Sequence, residues 1–176
     1  VENEIITTYV SLGSNLGDRA GNLLLAVRGL LEASFTVFRL SGIYESEPLG
    51  VTEEHENYLN MVAEIHLHNV TPKQMMARML RIEYLLGRKF KGQNKPRTID
   101  LDILFFGDTI NENENLQIPH PRLHLRNFVL VPMAEIAPHF VHPVFGSTIQ
   151  ELLDASPDKS KIVRWQPYLE EKSLSA

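Results

Sequence analysis

Residues 58–68 alternate: Leu59, Met61, Ala63, Ile65 and Leu67 point one way, and Tyr58, Asn60, Glu64, His66 and His68 the other. That period of two predicts a strand with one face on a core and one polar face. Residues 5–12 read as an earlier strand, stopped by Gly13-Ser14-Asn15-Leu16-Gly17. A helix follows over about 18–33, with Leu24, Val27 and Leu31 at helical spacing. Residues 35–44 predict a second strand, and Ser46-Glu47-Pro48-Leu49-Gly50 opens a loop reaching about residue 56. Thr71-Pro72 is a helix start, with Thr as N-cap and Pro at the first helical position. Met75, Met79, Ile82 and Leu86 form its apolar stripe and Gly87 its stop.

A polar loop, residues 88–96, leads into a further apolar run that turns at Gly107-Asp108. Residues 111–115 read as an exposed loop and 126–136 as a helix containing Pro132. Thr148 and Glu151 have the spacing of a capping box on a short helix. Ile162, Val163 and Trp165 add one more strand, and residues 166–176 form a fraying tail. The order predicts an α+β, ferredoxin-like βαββαβ antiparallel sheet with packed helices. No linker divides residues 1–176, so they read as a single domain with its core over about 5–155.

The apolar run after the loop carries the chemistry. In Pro96-Arg97-Thr98-Ile99-Asp100-Leu101-Asp102-Ile103-Leu104-Phe105-Phe106, two carboxylates share one strand face while Ile99, Leu101 and Ile103 share the other. Their Cα atoms lie about 6–7 Å apart, where like charges repel unless cations intervene. Two hard ligands on a rigid element beside Arg97 suggest Mg²⁺ and a polyphosphate, against the plainer reading of a solvated edge strand.

Charge strengthens the first reading. The chain carries −5 overall, which argues against a general nucleic-acid binder, yet residues 78–97 alone hold +6. Arg81 and Arg88 would suit a helix C-terminus, but Lys91, Lys95 and Arg97 lie beyond it, where they could meet phosphate oxygens. With no cysteine, disulfides, thiolate zinc sites and cysteine nucleophiles are excluded. No apolar stretch reaches the roughly 20 residues of a membrane span and no leader pattern opens the chain, so a cytoplasmic protein is expected. A monomer is expected too, although nothing in the pattern fixes the oligomeric state.

Three other patterns carry less. The turn over residues 13–18 lacks the Gly-Lys-Ser/Thr end of a Walker loop and the GxGxxG spacing, so it reads as a strand-to-helix turn capped by Asp18. Tyr58 and Asn60 on one strand face suit a flat, hydrogen-bonding heterocycle, although a surface tyrosine on a strand is common. Seven histidines contain no HExxH, which makes a zinc site unexpected.

Taken in order, Ser11-Leu12-Gly13-Ser14-Asn15-Leu16-Gly17-Asp18, Pro48-Leu49-Gly50, Tyr58-Leu59-Asn60, the Arg97 to Asp102 segment, Ile118-Pro119-His120-Pro121-Arg122, Arg126, Phe128 and Pro132 resemble the 6-hydroxymethyl-7,8-dihydropterin pyrophosphokinases of folate biosynthesis. The resemblance spans about residues 5–155. It implies transfer of pyrophosphate from ATP to the pterin hydroxymethyl group, with ATP and the pterin as small-molecule partners and neither nucleic acid nor membrane involved. Asp100 and Asp102 would hold two Mg²⁺ ions. Arg88, Arg97, His120 and Arg126 would contact the triphosphate, and Glu83 would help to position the nucleotide-binding residues. Asn60 would hydrogen-bond the pterin, Tyr58 and Phe128 would enclose its ring, and Leu49 and the backbone near Ser46 would add contacts. No residue is required as a general base.

The loop before the acidic strand departs from the family pattern. Phe90 stands where a second Arg is frequent, Asn94 and Lys95 where a Trp-Gly pair is frequent, and Glu47 where Pro is frequent. A lysine there does not reproduce a bidentate arginine. Two rival readings are weaker. A nucleotidyltransferase keeps its Gly-Ser and Asp-x-Asp close together, whereas Ser14 and Asp100 are 86 positions apart. A non-catalytic ferredoxin-like nucleotide- or RNA-binding module would present a basic sheet face with interleaved aromatics.

Overall fold

The computed structural model describes residues 4–47, 56–88 and 96–167. In chain order the elements are β1 (Ile6–Ser14), α1 (Arg19–Glu32), β2 (Thr36–Leu40), β3 (Tyr44–Ser46), β4 (Tyr58–Leu67), α2 (Pro72–Leu85), β5 (Asp100–Phe106), the hairpin β6 (Asn111–Asn113) and β7 (Leu116–Ile118), α3 (Asn127–Ile136), α4 (Ile149–Asp154) and β8 (Ile162–Arg164). The main sheet runs β5-β1-β4-β3-β8, with β2 also paired to β4, and every pairing is antiparallel.

Helices cover both faces. Leu23, Ala26 and Leu30 of α1 and Met75, Met79 and Ile82 of α2 pack on one side, against Val10, Leu12, Met61, Ile65 and Leu101. Val129, Leu130 and Met133 of α3 pack on the other, against Tyr9, Val62 and Phe105. The apolar stripe of α1 is therefore one residue earlier than the expected Leu24, Val27 and Leu31, and Leu24 and Leu31 are exposed. Three consecutive leucines at 23–25 make either phase available locally, so packing against the sheet decides.

Four other expectations are corrected. Residues 35–44 make two strands, because Ser41 and Gly42 break the ladder. Ser41 Oγ accepts from Val62 N–H at 2.9 Å and Gly42 N–H donates to the Glu135 carboxylate at 2.9 Å, in place of regular ladder bonds. The polar face of β4 is largely covered: α3 packs over its Val62 part, and Asn60 and Glu64 are both buried. Residues 111–115 form part of the β6–β7 hairpin rather than a plain loop. The first strand also continues through Gly13 and Ser14.

Two features place the site. Val10 pairs with Ile103 but Tyr9 with Phe105, so Leu104 is an extra residue, a β-bulge that reverses the facing of the strand beyond it. The second is the C-terminal segment, which returns to brace two elements. β8 pairs with β3, Trp165 N–H donates to the Ile43 carbonyl at 2.9 Å, and Arg164 reaches Glu135 at 3.2 Å. Asp158 supplies the cap that α3 lacks locally, its carboxylate accepting from Asn127 N–H at 2.7 Å.

Burial alone would raise the Asp158 pKa, but hydrogen bonds from Asn127 and Ser160 hold it below the ordinary carboxylate range. Folding thus favours the ionised form. The stabilisation is complete above the unfolded value of about 3.9 and is lost as pH falls through the lower folded value. Asp158→Asn is expected to be less stable than the parent at neutral pH, with the difference closing below about pH 4. Urea melts of both proteins across that range check it.

Candidate functional site

The cleft lies on the α3 side of the sheet, where α3 stops covering it. Its floor follows from register. Across β5, β1 and β4, Asp100 faces Gly13, which faces Asn60; one step along, Asp102 faces Ser11, which faces Val62. The central strand thus carries its smallest side chains between larger ones, and a hollow results. At ordinary strand spacing the two outer strands are roughly 10 Å apart, the span of a small ligand. A Cβ on Gly13 would lie 3.1 Å from the Asn60 amide oxygen, so glycine keeps that amide in place.

At the β4 end, Asn60 is buried and its amide nitrogen donates to Ser46 Oγ at 2.8 Å. That bond fixes the amide orientation. Tyr58, Glu47 and Phe128 line the cleft beside it. Burial raises the Tyr58 pKa, so its hydroxyl stays protonated through the physiological range.

At the β5 end the carboxylates are set in an arginine framework. Arg97 donates to Asp100 at 3.0 Å, and its backbone is locked to Asn15 by N–H to side-chain oxygen (2.8 Å) and by Asn15 N–H to carbonyl (3.1 Å). Arg88, almost fully buried, donates to Asp100, to Glu83 at 3.0 Å and to the Ile99 carbonyl at 3.3 Å. Glu83 is 2% exposed and also accepts from Leu101 N–H at 2.7 Å. Burial alone would lower the Arg88 pKa, but the surrounding acids, Asp100 foremost, raise it, and its charge is permanent.

His120 and Arg126 close the third side. His120 N–H donates to the carbonyl of the bulged Leu104 at 2.9 Å, and its Nδ1 accepts from Arg122 N–H at 3.1 Å. Burial lowers its pKa, Arg126 and Arg122 add to that, and Asp102 opposes it. The neutral ring therefore keeps its proton on Nε2, as a hydrogen-bond donor. Arg126 stands 5.5 Å from the Phe128 ring centre, and among the described residues no carboxylate lies within ion-pairing distance of it. Burial and Arg122 lower its pKa. A half-buried cation in such a position favours an anionic ligand.

Ser46, Tyr58, Asn60, Arg97, Asp100, Asp102, His120, Arg126 and Phe128, all expected from the sequence, line this one cleft. Arg88 and Glu83 sit beneath it, behind Asp100. Leu49, Phe90, Lys91, Asn94 and Lys95 fall outside the described residues. Ser11, Gly13 and Leu104 also line the cleft, and the sequence pattern does not single them out as lining residues. The declining size of Tyr9, Ser11 and Gly13 along one face of β1 is the signal that could have found the first strand's share. A second hollow, between α2 and the β6–β7 hairpin, is lined by Met76, Met79, Ile103, Leu116 and Gln117 and shares Asp102 and His120 with the first.

The 7,8-dihydro-6-hydroxymethylpterin-pyrophosphokinase (HPPK) family model matches residues 9–138. The chain is 34% identical over 145 residues to the 2-amino-4-hydroxy-6-hydroxymethyldihydropteridine pyrophosphokinase of Aquifex aeolicus, covering 82% of this chain and 89% of that protein. It is 44% identical over 129 residues to the Bacillus subtilis protein of the same name, covering 73% and 76%. It spans only 21% of the folic acid synthesis protein fol1 of Pneumocystis carinii, at 37% identity over 158 residues and 90% of this chain. A crystal structure of Plasmodium falciparum HPPK-DHPS superposes with a TM-score of 0.68 at 17% identity, covering 88% of this chain and 46% of that one, which is a likeness of fold.

Proposed function

The chain belongs to the 7,8-dihydro-6-hydroxymethylpterin-pyrophosphokinase family, and from that membership we propose how its cleft divides the labour of the reaction. The protein transfers pyrophosphate from ATP to 6-hydroxymethyl-7,8-dihydropterin in folate biosynthesis. The hydroxymethyl oxygen forms a bond to the β-phosphorus, the bond from that phosphorus to the α-phosphate oxygen breaks, and AMP leaves. The observation that carries the assignment is the row Asp100–Gly13–Asn60, which sets an acidic, arginine-flanked end and an amide-bearing aromatic end on either side of one small-residue strand.

At the Asn60 end the pterin ring lies between Tyr58 and Phe128, its edge read by the Asn60 amide that Ser46 orients. At the Asp100 end the triphosphate meets Arg97, Arg126 and the Nε2–H of His120. The two arginines, with the neutral His120 as a hydrogen-bond donor beside them, oppose charge that builds on the phosphoryl oxygens, the main demand of such a transfer. The neighbouring hollow supports a place for the adenosine end of ATP, because Met76, Met79, Ile103 and Leu116 give it apolar walls, Gln117 and Asn115 polar ones, and it borders the phosphate side at Asp102 and His120.

The residues suit magnesium. Asp100 and Asp102 supply hard oxygen ligands from one rigid strand, and among the described residues no cluster of three or more His, Cys, Asp or Glu could hold a metal on protein ligands alone. An ion here would complete its shell from phosphate oxygens and water, the usual habit of Mg²⁺. Two ions, when bound, supply charge neutralisation and polarisation of the phosphates and of the attacking hydroxyl. Arg88 and Glu83 act from beneath, by fixing the Asp100 carboxylate.

The sheet order supports a ferredoxin-like βαββαβ core to which β6, β7 and β8 are additions. No helix among the described residues is long and apolar enough to cross a membrane.

Separating AMP from ADP in reactions with ATP, Mg²⁺ and the pterin tests the function. AMP formed in step with pterin diphosphate is expected; pterin-dependent ADP would contradict it. Asn60→Ala is expected to raise KM for the pterin by roughly tenfold to a hundredfold, the loss of a buried hydrogen-bonding group, with KM for ATP nearly unchanged. An equal rise in both would remove Asn60 from the pterin site.

A further inference from the structure

Arg19 is placed against the local preference of its helix. It is the first residue of α1, directly after the Asp18 cap, where the partial positive charge of the helix end disfavours a cation. Its side chain turns away from the helix to the ends of the segment joining β3 to β4. One guanidinium nitrogen donates to Glu45 Oε2 at 2.9 Å and to the Asn57 carbonyl at 2.6 Å, and Nε lies 3.8 Å from Glu56. These contacts are part-buried and join residues 26 and 38 positions away. They therefore resist screening better than an exposed pair does.

What lies between those contacts is the pterin wall of the cleft. Glu45 is followed by Ser46, the acceptor that orients Asn60, and by Glu47, which lines the cleft; Asn57 is followed by Tyr58, which pairs with Ser46 across β3 and β4. β3 is only three residues long and pairs with β8, itself three residues, on its other edge, so both ladders that hold Ser46 are short. The same strand-to-helix connection continues from Gly13 and Ser14, so Arg19 ties the cleft floor to its wall.

We propose that Arg19 is a positioning residue for the pterin end of the cleft, holding the Ser46–Tyr58 pair in register so that Asn60 presents its amide to the substrate. It touches neither substrate nor metal. The inference rests on the pterin reading of the Asn60 end given above.

Steady-state kinetics of Arg19→Gln, Glu45→Gln, the double variant and Asn60→Ala, with each substrate varied in turn, test it. Arg19→Gln is expected to raise KM for the pterin about tenfold while KM for ATP stays within about twofold, the scale of one or two charge-assisted hydrogen bonds. Glu45→Gln is expected to give a smaller rise, because the Asn57 contact survives. The double variant should be no worse than Arg19→Gln, since both act through one contact. Should Arg19→Gln fold poorly, Glu45→Gln probes the same contact from its partner. A parallel rise in both KM values, or additive effects of the two substitutions, would reduce Arg19 to a general stabiliser and overturn the proposal. If Asn60→Ala raises the pterin KM while Arg19→Gln and Glu45→Gln leave it unchanged, the positioning role fails alone. If Asn60→Ala also leaves it unchanged, the pterin reading fails and the proposal with it.

Discussion

Asp102→Asn is expected to abolish pyrophosphoryl transfer, by roughly 10³-fold or more in kcat, while the protein stays folded. Asparagine keeps the shape of the side chain and removes the charge that a magnesium ion needs from a site offering so few protein ligands. A loss of 10³-fold equals about 4 kcal/mol of transition-state stabilisation, the scale of a lost cation between phosphates. The charge of Asp102 also acts on its neighbours, opposing the burial that lowers the pKa of both His120 and Arg126. The same substitution at Asp100 would be harder to interpret, because Asp100 accepts from Arg88 and Arg97 as well. Turnover measured beside a circular-dichroism melt separates the two: a folded Asp102→Asn protein with near-parental turnover would remove Asp102 from the metal site.

The largest effect on stability is expected beneath the cleft. Glu83→Ala leaves Leu101 N–H without that acceptor and takes one acid from the buried Arg88, whose side chain is 5% exposed. Breaking a buried ion pair by deleting one partner costs about 3–5 kcal/mol. That is a large share of the roughly 5–15 kcal/mol typical of a whole domain. Glu83→Gln should cost less, since its amide oxygen can still accept from Leu101. Urea denaturation gives both values, and a Glu83→Ala midpoint close to the parent's would show Arg88 to be satisfied by Asp100 and Ile99 alone. Activity should fall in both variants, because Arg88 would no longer be held against two acids at once.

Much of this is legible in the chain because each signal is local. The N-cap at Thr71, the capping box at Thr148 and the helix stop at Gly87 stand in the sequence as they do in the fold, since a cap involves residues within a few positions of each other. The acidic strand announces itself for the same reason: an apolar run bearing aspartates at a spacing of two gathers both charges on one face, which needs cations against it, here Arg88 and Arg97 at Asp100. Where the outcome depends on distant residues, the pattern misleads. The phase of α1 is decided by the sheet, the burial of Glu64 by α3, and the break after Leu40 by the bonds of Ser41 to Val62 and of Gly42 to Glu135. Glu83 looks like one acid on a basic helix, and only the fold reveals that it faces the back of β5. The bulge at Leu104 leaves no mark in the pattern, because Leu104 and Phe105 are both apolar and either could face either core layer.

The return of the C-terminal segment also bears on how the enzyme comes into being during synthesis. A ribosome releases the chain from its N-terminal end, so the acidic strand, the pterin-side strands and α3 all emerge before Asp158 and β8 do. Until those last residues are free, the first turn of α3 lacks a cap and the edge of β3 stands open to pair with another nascent chain. Substrate binding and protection from aggregation should therefore be acquired together, once the segment from Asp158 to Arg164 has emerged and docked.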